Sequence, residues 1–423
     1  MEKINVNCDY MIYSEEEKRQ AIECLEKHDS SIFVGNTISL FENKLAEHLK
    51  VKYALALPNC TLSIYAALQA LDINYNDEVI VPNLTHASSI YPILMSGAKI
   101  KVYDFYPNTY NCNIESLKKL ITPKTKILLA CYLYGMPLNI EEIKKFCDEN
   151  NIILIEDAAQ AFGTKINGKY AGTFGDIGCL SFNDTKMLRL GEGGAIVTNN
   201  LELYKKIEHF RHVGEVYKSN LESSVSSNTT YGDLLFNGLS NIGRGLNLRP
   251  SPLAFSTGLS RIDVINQIIL QRQNKFRIYE KELSNIAGIH IIGNYQPNLL
   301  EQYAPIAYWL VLDNTLYDRN KIILGCINMG IPTGSFNYNT IIKNDYFKNF
   351  IINVNDLPLY SQYIRDNSIF LPLYETLTEN DIYNISQAFK YVVNTYDKQN
   401  NEIFDYRVYD ENIQYFDGFY LKR

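Results

Sequence analysis

From about Ser39 to Asn200 the chain switches repeatedly between two spacings of its apolar residues. Phe41, Leu45, Ala46 and Leu49 recur at three- and four-residue intervals, which predicts an amphipathic helix over 41–49. A second helix is predicted over 61–71, entered through Pro58-Asn59-Cys60-Thr61, and a third over 140–150. Between them lie short runs at 78–81, 127–132, 152–155, 179–182 and 195–198. Several are apolar at nearly every position, as in strands covered on both faces. Such β-α alternation predicts an α/β fold built on a mostly parallel sheet with helices on both sides. Residues 262–286 read as a long helix leading into a smaller α+β C-terminal domain.

A chain of 423 residues is long enough for more than one core. The pattern divides it into a large domain over 1–262, a small domain over 263–395 and a tail over 396–423. The N-terminal segment is a candidate to pack on the small domain. Phe404, Tyr406, Tyr409, Tyr415, Phe416, Phe419 and Tyr420 crowd the tail, which is expected to dock on its own subunit or a neighbour. Residues 219–230, rich in Ser, Asn and Thr, read as a loop, either mobile or ordered by a partner subunit.

A formal net charge of −7 argues against a nucleic-acid groove, so any anionic substrate must be gripped by local donors. Neither a signal peptide nor an apolar run of the roughly 20 residues that cross a bilayer is found, and a cytoplasmic, membrane-free protein is expected. The eight cysteines form no C-x-x-C pair, so no metal site is expected and reduced thiols are.

The chemistry concentrates in Ile155-Glu156-Asp157-Ala158-Ala159-Gln160, then Gly175-Asp176, Ser181-Phe182, Thr185-Lys186 and Gly191-Glu192-Gly193-Gly194. Asp157 falls at the carboxyl end of a buried strand, where open α/β sheets place ligands. Lys186 follows the next strand, ahead of a Gly-rich turn. An aspartate facing a pyridinium nitrogen and a lysine bonded to an aldehyde are the two protein groups that pyridoxal phosphate (PLP) requires. Taken singly, each has a blander role: loop lysines are mostly solvated and strand-end aspartates often cap helices. Their order and setting make the combination specific. Gly191–Gly194 is not a dinucleotide fingerprint, since the G-x-G-x-x-G spacing is missing, and Glu192 reads as a residue that fixes the turn.

The stretch from Glu156 to Gly194 resembles the signature of the DegT/DnrJ/StrS-type sugar aminotransferases, within the fold-type I PLP enzymes. Supporting matches run from about Tyr13 to Val392: Phe41-Glu42, Asp77-Glu78-Val79-Ile80, 121–125, Tyr134-Gly135, Gly245-Leu246-Asn247-Leu248-Arg249 and Leu371-Pro372-Leu373. The resemblance implies that Lys186 carries PLP as an imine and Asp157 pairs with its ring nitrogen. It implies that Gln160 donates to the ring hydroxyl oxygen and that Ser181 binds the phosphate, helped by Asn247 of the opposing subunit. Backbone N–H groups at Cys60 and Thr61 would complete the phosphate site at a helix start, although Asn59 and Thr61 could equally serve as simple N-caps.

This chain departs from the family pattern at three places. Cys60 stands where Gly is usual, and His86 replaces the aromatic that stacks on the cofactor ring. Ser335-Phe336-Asn337-Tyr338 lacks a familiar His-Tyr pair. These changes spare the imine-forming residues and surround the acceptor side. The implied activity is transfer of an amino group from L-glutamate or L-glutamine to a nucleotide-linked keto-sugar, by a homodimer with shared sites. A keto-cyclitol acceptor, a PLP-dependent sugar dehydratase and a non-catalytic regulatory relative are the alternatives. Lys186 argues against the dehydratase branch, which carries histidine there, and the intact Asp157–Lys186 pair argues against the last.

Overall fold

The computed structural model describes residues 3–4, 6, 12–32, 35–107, 109–214, 243–292, 299–353, 360–396, 413–416 and 419–422. The loop expected at 219–230 lies outside them, as do Phe404, Tyr406 and Tyr409 of the tail. The first part of the chain comprises α1 (Glu15–Glu26), α2 (Thr37–Leu49), β1 (Tyr53–Leu57), α3 (Cys60–Ala70), β2 (Glu78–Pro82) and α4 (Ala87–Ser96). There follow β3 (Lys99–Tyr103), α5 (Ile114–Lys118), β4 (Thr125–Cys131), α6 (Ile140–Glu149) and β5 (Ile153–Asp157). A two-stranded hairpin, β6 (Lys165–Ile166) and β7 (Lys169–Tyr170), precedes β8 (Ile177–Ser181), β9 (Gly194–Thr198) and α7 (Leu201–Arg211).

Seven of these strands form one sheet in the order β1-β9-β8-β5-β4-β2-β3. Every pairing is parallel except those of β9, which runs against β1 and β8. The expected mostly parallel α/β sheet is therefore present. Its near-continuous apolar strands have a direct cause. Ala56, Ile80, Leu128, Leu154 and Leu180 point into one core, while Leu55, Val79, Ile127, Ile155 and Cys179 point into another on the opposite face. Residue alternation thus serves two buried layers rather than one buried and one wet face.

Helix α8 (Pro252–Leu283) begins at Pro252 rather than at Ile262, where the sequence pattern places its start. Proline at the first turn lacks only an N–H that has no helical partner there, so Pro252 opens the helix instead of breaking it. Residue 262 falls inside this helix, whose early turns meet the large domain. Phe255 packs edge-on to Phe41 and Phe182, at 4.8 and 6.0 Å between ring centroids. Phe41 is wholly buried, and its replacement by Ala should cost about 3–5 kcal/mol.

Beyond α8 a second, antiparallel sheet has the order β10-β11-β13-β12-β15-β14, from β10 (Ile289–Ile291), β11 (Ala307–Leu312), β12 (Thr333–Gly334), β13 (Ser368–Pro372), β14 (Ile413–Phe416) and β15 (Phe419–Lys422). The end of the tail is thus docked on its own chain: β15 pairs with β12 at Thr333↔Tyr420 and Gly334↔Phe419. The seven described cysteines are free and buried. Among the described residues no helix is long and apolar enough to cross a membrane.

Candidate active site

The carboxyl ends of β1, β2, β4, β5 and β8 open at one edge of the large sheet, and a cavity of about 330 Å³ lies over them. Cys60, Thr61, His86, Asp157, Gln160, Ser181 and Lys186 all line it. Seven residues spread over 127 positions of sequence therefore meet in one place. Asn247 does not join them. It is exposed, paired with His212 in an isolated bridge.

Asp157 closes β5 and is 8% exposed, so its charge needs donors. Ser89 of α4 donates its hydroxyl to Oδ2 at 2.6 Å, and the Ala159 N–H donates to Oδ1 at 3.1 Å. The Cys60 Sγ lies 3.8 Å from Oδ1. Burial, reinforced by the charge of Asp157, pushes the Cys60 thiol well above its ordinary pKa, so it stays an S–H donor beside the carboxylate. The preceding Glu156 points to the other face, fully buried, where Tyr132 Oη and the N–H groups of Gly172 and Gly175 donate to it. Burial nonetheless raises its pKa. Two neighbouring acids are thereby separated into one that faces the cavity and one that holds the fold.

Asn59 caps α3, its Oδ1 accepting from Leu62 N–H at 2.9 Å. That leaves the N–H groups of Cys60 and Thr61, neither of which has an acceptor among the described residues. They face the same cavity as Ser181, and together these donors suit a phosphate. Gly194 lets this turn sit close to β9: a Cβ there would lie 2.4 Å from the Asn59 carbonyl carbon and 2.7 Å from the Cys60 nitrogen. On the other side Gln160 Oε1 accepts from Tyr134 N–H at 2.6 Å, which orients its amide and leaves the NH2 end as donor to the cavity.

Lys186 rides on a cross-linked loop between β8 and β9. Phe182 N–H donates to Gly193 O, Leu190 N–H to Phe182 O, and Asp184 N–H to Gly191 O, at 2.8, 2.8 and 3.1 Å. Gly191 N–H bonds Asp184 Oδ1 at 2.7 Å, and Asn183 Nδ2 bonds Glu192 Oε1 at 3.0 Å. Glu192 ties the two limbs of the loop, as expected. Among the described residues lining the cavity, Lys186 is the one lysine or arginine.

The mouth of the cavity is built differently. His86 is exposed and caps α4, with Nδ1 accepting from Ser88 N–H at 3.1 Å. Its ring meets Tyr338 edge-on at 5.5 Å. Asn337, Tyr338 and Ile306 reach over from the small domain. Tyr134, held in a left-handed conformation at φ 52°, stacks on Phe370 of β13 at 3.9 Å and accepts a hydrogen bond from Tyr303 at its carbonyl. Ser89 and Asn183 are absent from the sequence reading, and Tyr134 and Tyr338 appear there only within motifs, with no part in the site assigned to them. Nothing in the spacing of Ser89 or Tyr338 links either to Asp157, and only the fold brings them together.

These donors, the carboxylate and the amine have the chemistry that PLP requires. A model of the DegT/DnrJ/EryC1/StrS aminotransferase family matches residues 12–390. The chain belongs to this family. It is a PLP-dependent aminotransferase. The chain is 34% identical to GDP-perosamine synthase of Escherichia coli O157:H7 over 65% of this chain and 70% of that protein. It is 26% identical to GDP-4-keto-6-deoxy-D-mannose 3-dehydratase of Escherichia coli O55:H7, over 81% of this chain and 89% of that one. The structure of an aminotransferase from Psychrobacter cryohalolentis superposes with a TM-score of 0.82 at 25% identity, over 92% of this chain and 98% of the other.

Proposed function

We propose that the chain moves an amino group from an amino-acid donor, L-glutamate or L-glutamine, to the keto carbon of a nucleotide-linked sugar. The observation that carries this reading is Lys186 in the same cavity as a carboxylate that Ser89 and Ala159 hold in place. PLP, when bound, supplies an aldehyde that amines add to and a ring that withdraws electrons. Asp157 would pair with the ring nitrogen, and Gln160 would donate to the ring hydroxyl oxygen. Cys60 N–H, Thr61 N–H and Ser181 hold the phosphate. Lys186 Nζ would hold the cofactor's aldehyde carbon, and once free its amine would take the proton from the donor's Cα and, in the second half of the cycle, deliver one to the acceptor carbon.

The similarity to GDP-perosamine synthase makes a GDP-linked keto-sugar the first acceptor to test. The dehydratase among the relatives shows that this fold also supports elimination from a sugar, and Lys186, where that branch carries histidine, favours amination here. Asn247 is exposed and outside its own chain's cavity, which supports a reading in which it serves a second copy and the working unit is a homodimer. Borohydride reduction of the PLP-loaded protein should bleach the visible band and leave cofactor mass on the peptide containing Lys186. Mass on another lysine, or on none, would refute the assignment.

A further inference from the structure

The loop that carries Lys186 is gripped from behind by a buried network of charges. Arg261 of α8 is 3% exposed and directs Nε and one terminal nitrogen at the carbonyl of Met187, each at 3.4 Å. Its other terminal nitrogen bonds Glu17 of α1 at 3.3 Å. Arg189, three residues after Lys186, is 4% exposed and donates to the carbonyl of Ile12. Glu375, in the loop after β13 of the small domain, meets all the guanidiniums here. It lies 2.8 Å from Arg261, 3.2 Å from Arg272 and 3.7 Å from Arg189. Lys275 Nζ adds bonds to the carbonyls of Tyr374 and Glu375, both at 2.9 Å. In front, Tyr13 Oη donates to Asp184 Oδ1 at 3.1 Å, on the limb that precedes Lys186.

Four cations therefore surround two carboxylates, Glu17 and Glu375, with little exposure to solvent: Glu375 is 19% exposed and the others 8% or less. Like charges so close are tolerable only while the carboxylates stand between them. Glu375 bridges all three guanidiniums, and it belongs to the opposite domain from the lysine loop. Arg261 passes its position on to Met187, one peptide from the reacting amine.

We propose that Glu375 is a positioning residue for Lys186: by gathering Arg189, Arg261 and Arg272 it seats the lysine loop and ties the amine's placement to the docking of the small domain. This rests on Lys186 as the cofactor-holding residue, but the brace can be read without cofactor. Glu375→Gln should raise amide hydrogen exchange at 183–191 at least tenfold in the cofactor-free protein. Exchange at 177–181 and 194–198, the strands on either side, should stay at wild-type rates. In the PLP-loaded protein the pH midpoint of the visible band should move and kcat should fall, with little change in KM for the amino donor.

Glu282→Gln serves as control. It removes an ion pair with Lys390 on the far end of α8, and it should leave every one of these readouts unchanged. Wild-type exchange at 183–191 in folded Glu375→Gln overturns the proposal, and so does an equal rise throughout the sheet. Should that variant not fold, Arg261→Lys keeps the charge but loses the fork on Met187. A local rise at 183–191 then supports the brace, and its absence refutes it. A changed loop with no cofactor mass at Lys186 would spare the brace and sink the cofactor assignment.

Discussion

The floor and the mouth of the cavity are held in opposite ways. On the floor every chemistry-bearing group is tied down. Asp157 has donors from two helices and its own turn, Gln160 is pinned by a backbone amide, and the Lys186 loop is laced by backbone bonds and backed by buried ions. At the mouth, His86 is exposed, and Asn337, Tyr338 and Ile306 lean in from another domain through contacts such as one ring edge at 5.5 Å. The floor must present one charge arrangement to one cofactor, which rewards rigidity. The mouth decides what is aminated and can be rebuilt without disturbing the floor. All three departures from the family pattern touch this cavity. Two, at His86 and 335–338, sit at the mouth, and the third, Cys60, stands at the helix start, where its backbone amide has no acceptor among the described residues.

Substitutions should sort by region. Lys186→Ala removes both the covalent anchor and the proton carrier, and the donor half-reaction should fall on the order of 10³-fold or more. Stopped-flow absorbance would check this, and near-normal turnover would erase the distinction between the regions. Asp157→Asn keeps shape but removes charge, with an expected loss of about 10²–10³-fold. Ser89→Ala deletes one hydrogen bond to a carboxylate, worth about 1.5–3 kcal/mol, so roughly 10- to 100-fold in rate is expected with PLP still bound. His86→Phe should leave the donor half-reaction at wild-type rate while shifting the acceptor KM. Losing the cap should cost about 0.5–2 kcal/mol in thermal unfolding.

The smallest effect concerns acid. Burial opposes ionisation of Glu375, but Arg272, Arg261 and Arg189 outweigh it and hold the carboxyl below its ordinary 4.5. A depressed folded pKa contributes stability that is complete above the unfolded value and is lost as pH falls through the folded one. The stability gap between wild type and Glu375→Gln should therefore be full at neutral pH and shrink below about pH 4.5. A gap that does not change with pH would mean that Glu375 acts through packing and not charge.

Much of the floor was legible in the sequence because it follows from sheet geometry. In a strand covered on both faces, alternation puts Asp157 on the side of Ile155 and Ser181 on the side of Cys179, which is the face packed by α3 and α4. The turn after β1 and the loop after β8 open at the same edge for the same reason. The family resemblance supplied the roles. What was not legible depends on contacts between distant segments. Ser89 reads as one more hydroxyl in a helix, and the ions behind Lys186 come from residues 17, 189, 261, 272, 275 and 375, with no shared spacing. The start of α8 is hard to see in the sequence, since a proline that opens a helix and one that ends a helix look alike without the cap.

The central claim is amino transfer to a nucleotide-linked keto-sugar, and the most direct test is the second half-reaction. Protein in the pyridoxamine form, freed of amino donor, would be mixed with a panel of nucleotide-linked keto-sugars and keto-cyclitols while the visible band is followed. The account predicts that the band returns with a nucleotide-linked keto-sugar, GDP-linked first, in step with formation of the amino sugar. Return of the band with a keto-cyclitol alone, or sugar deoxygenation without nitrogen transfer, would contradict it.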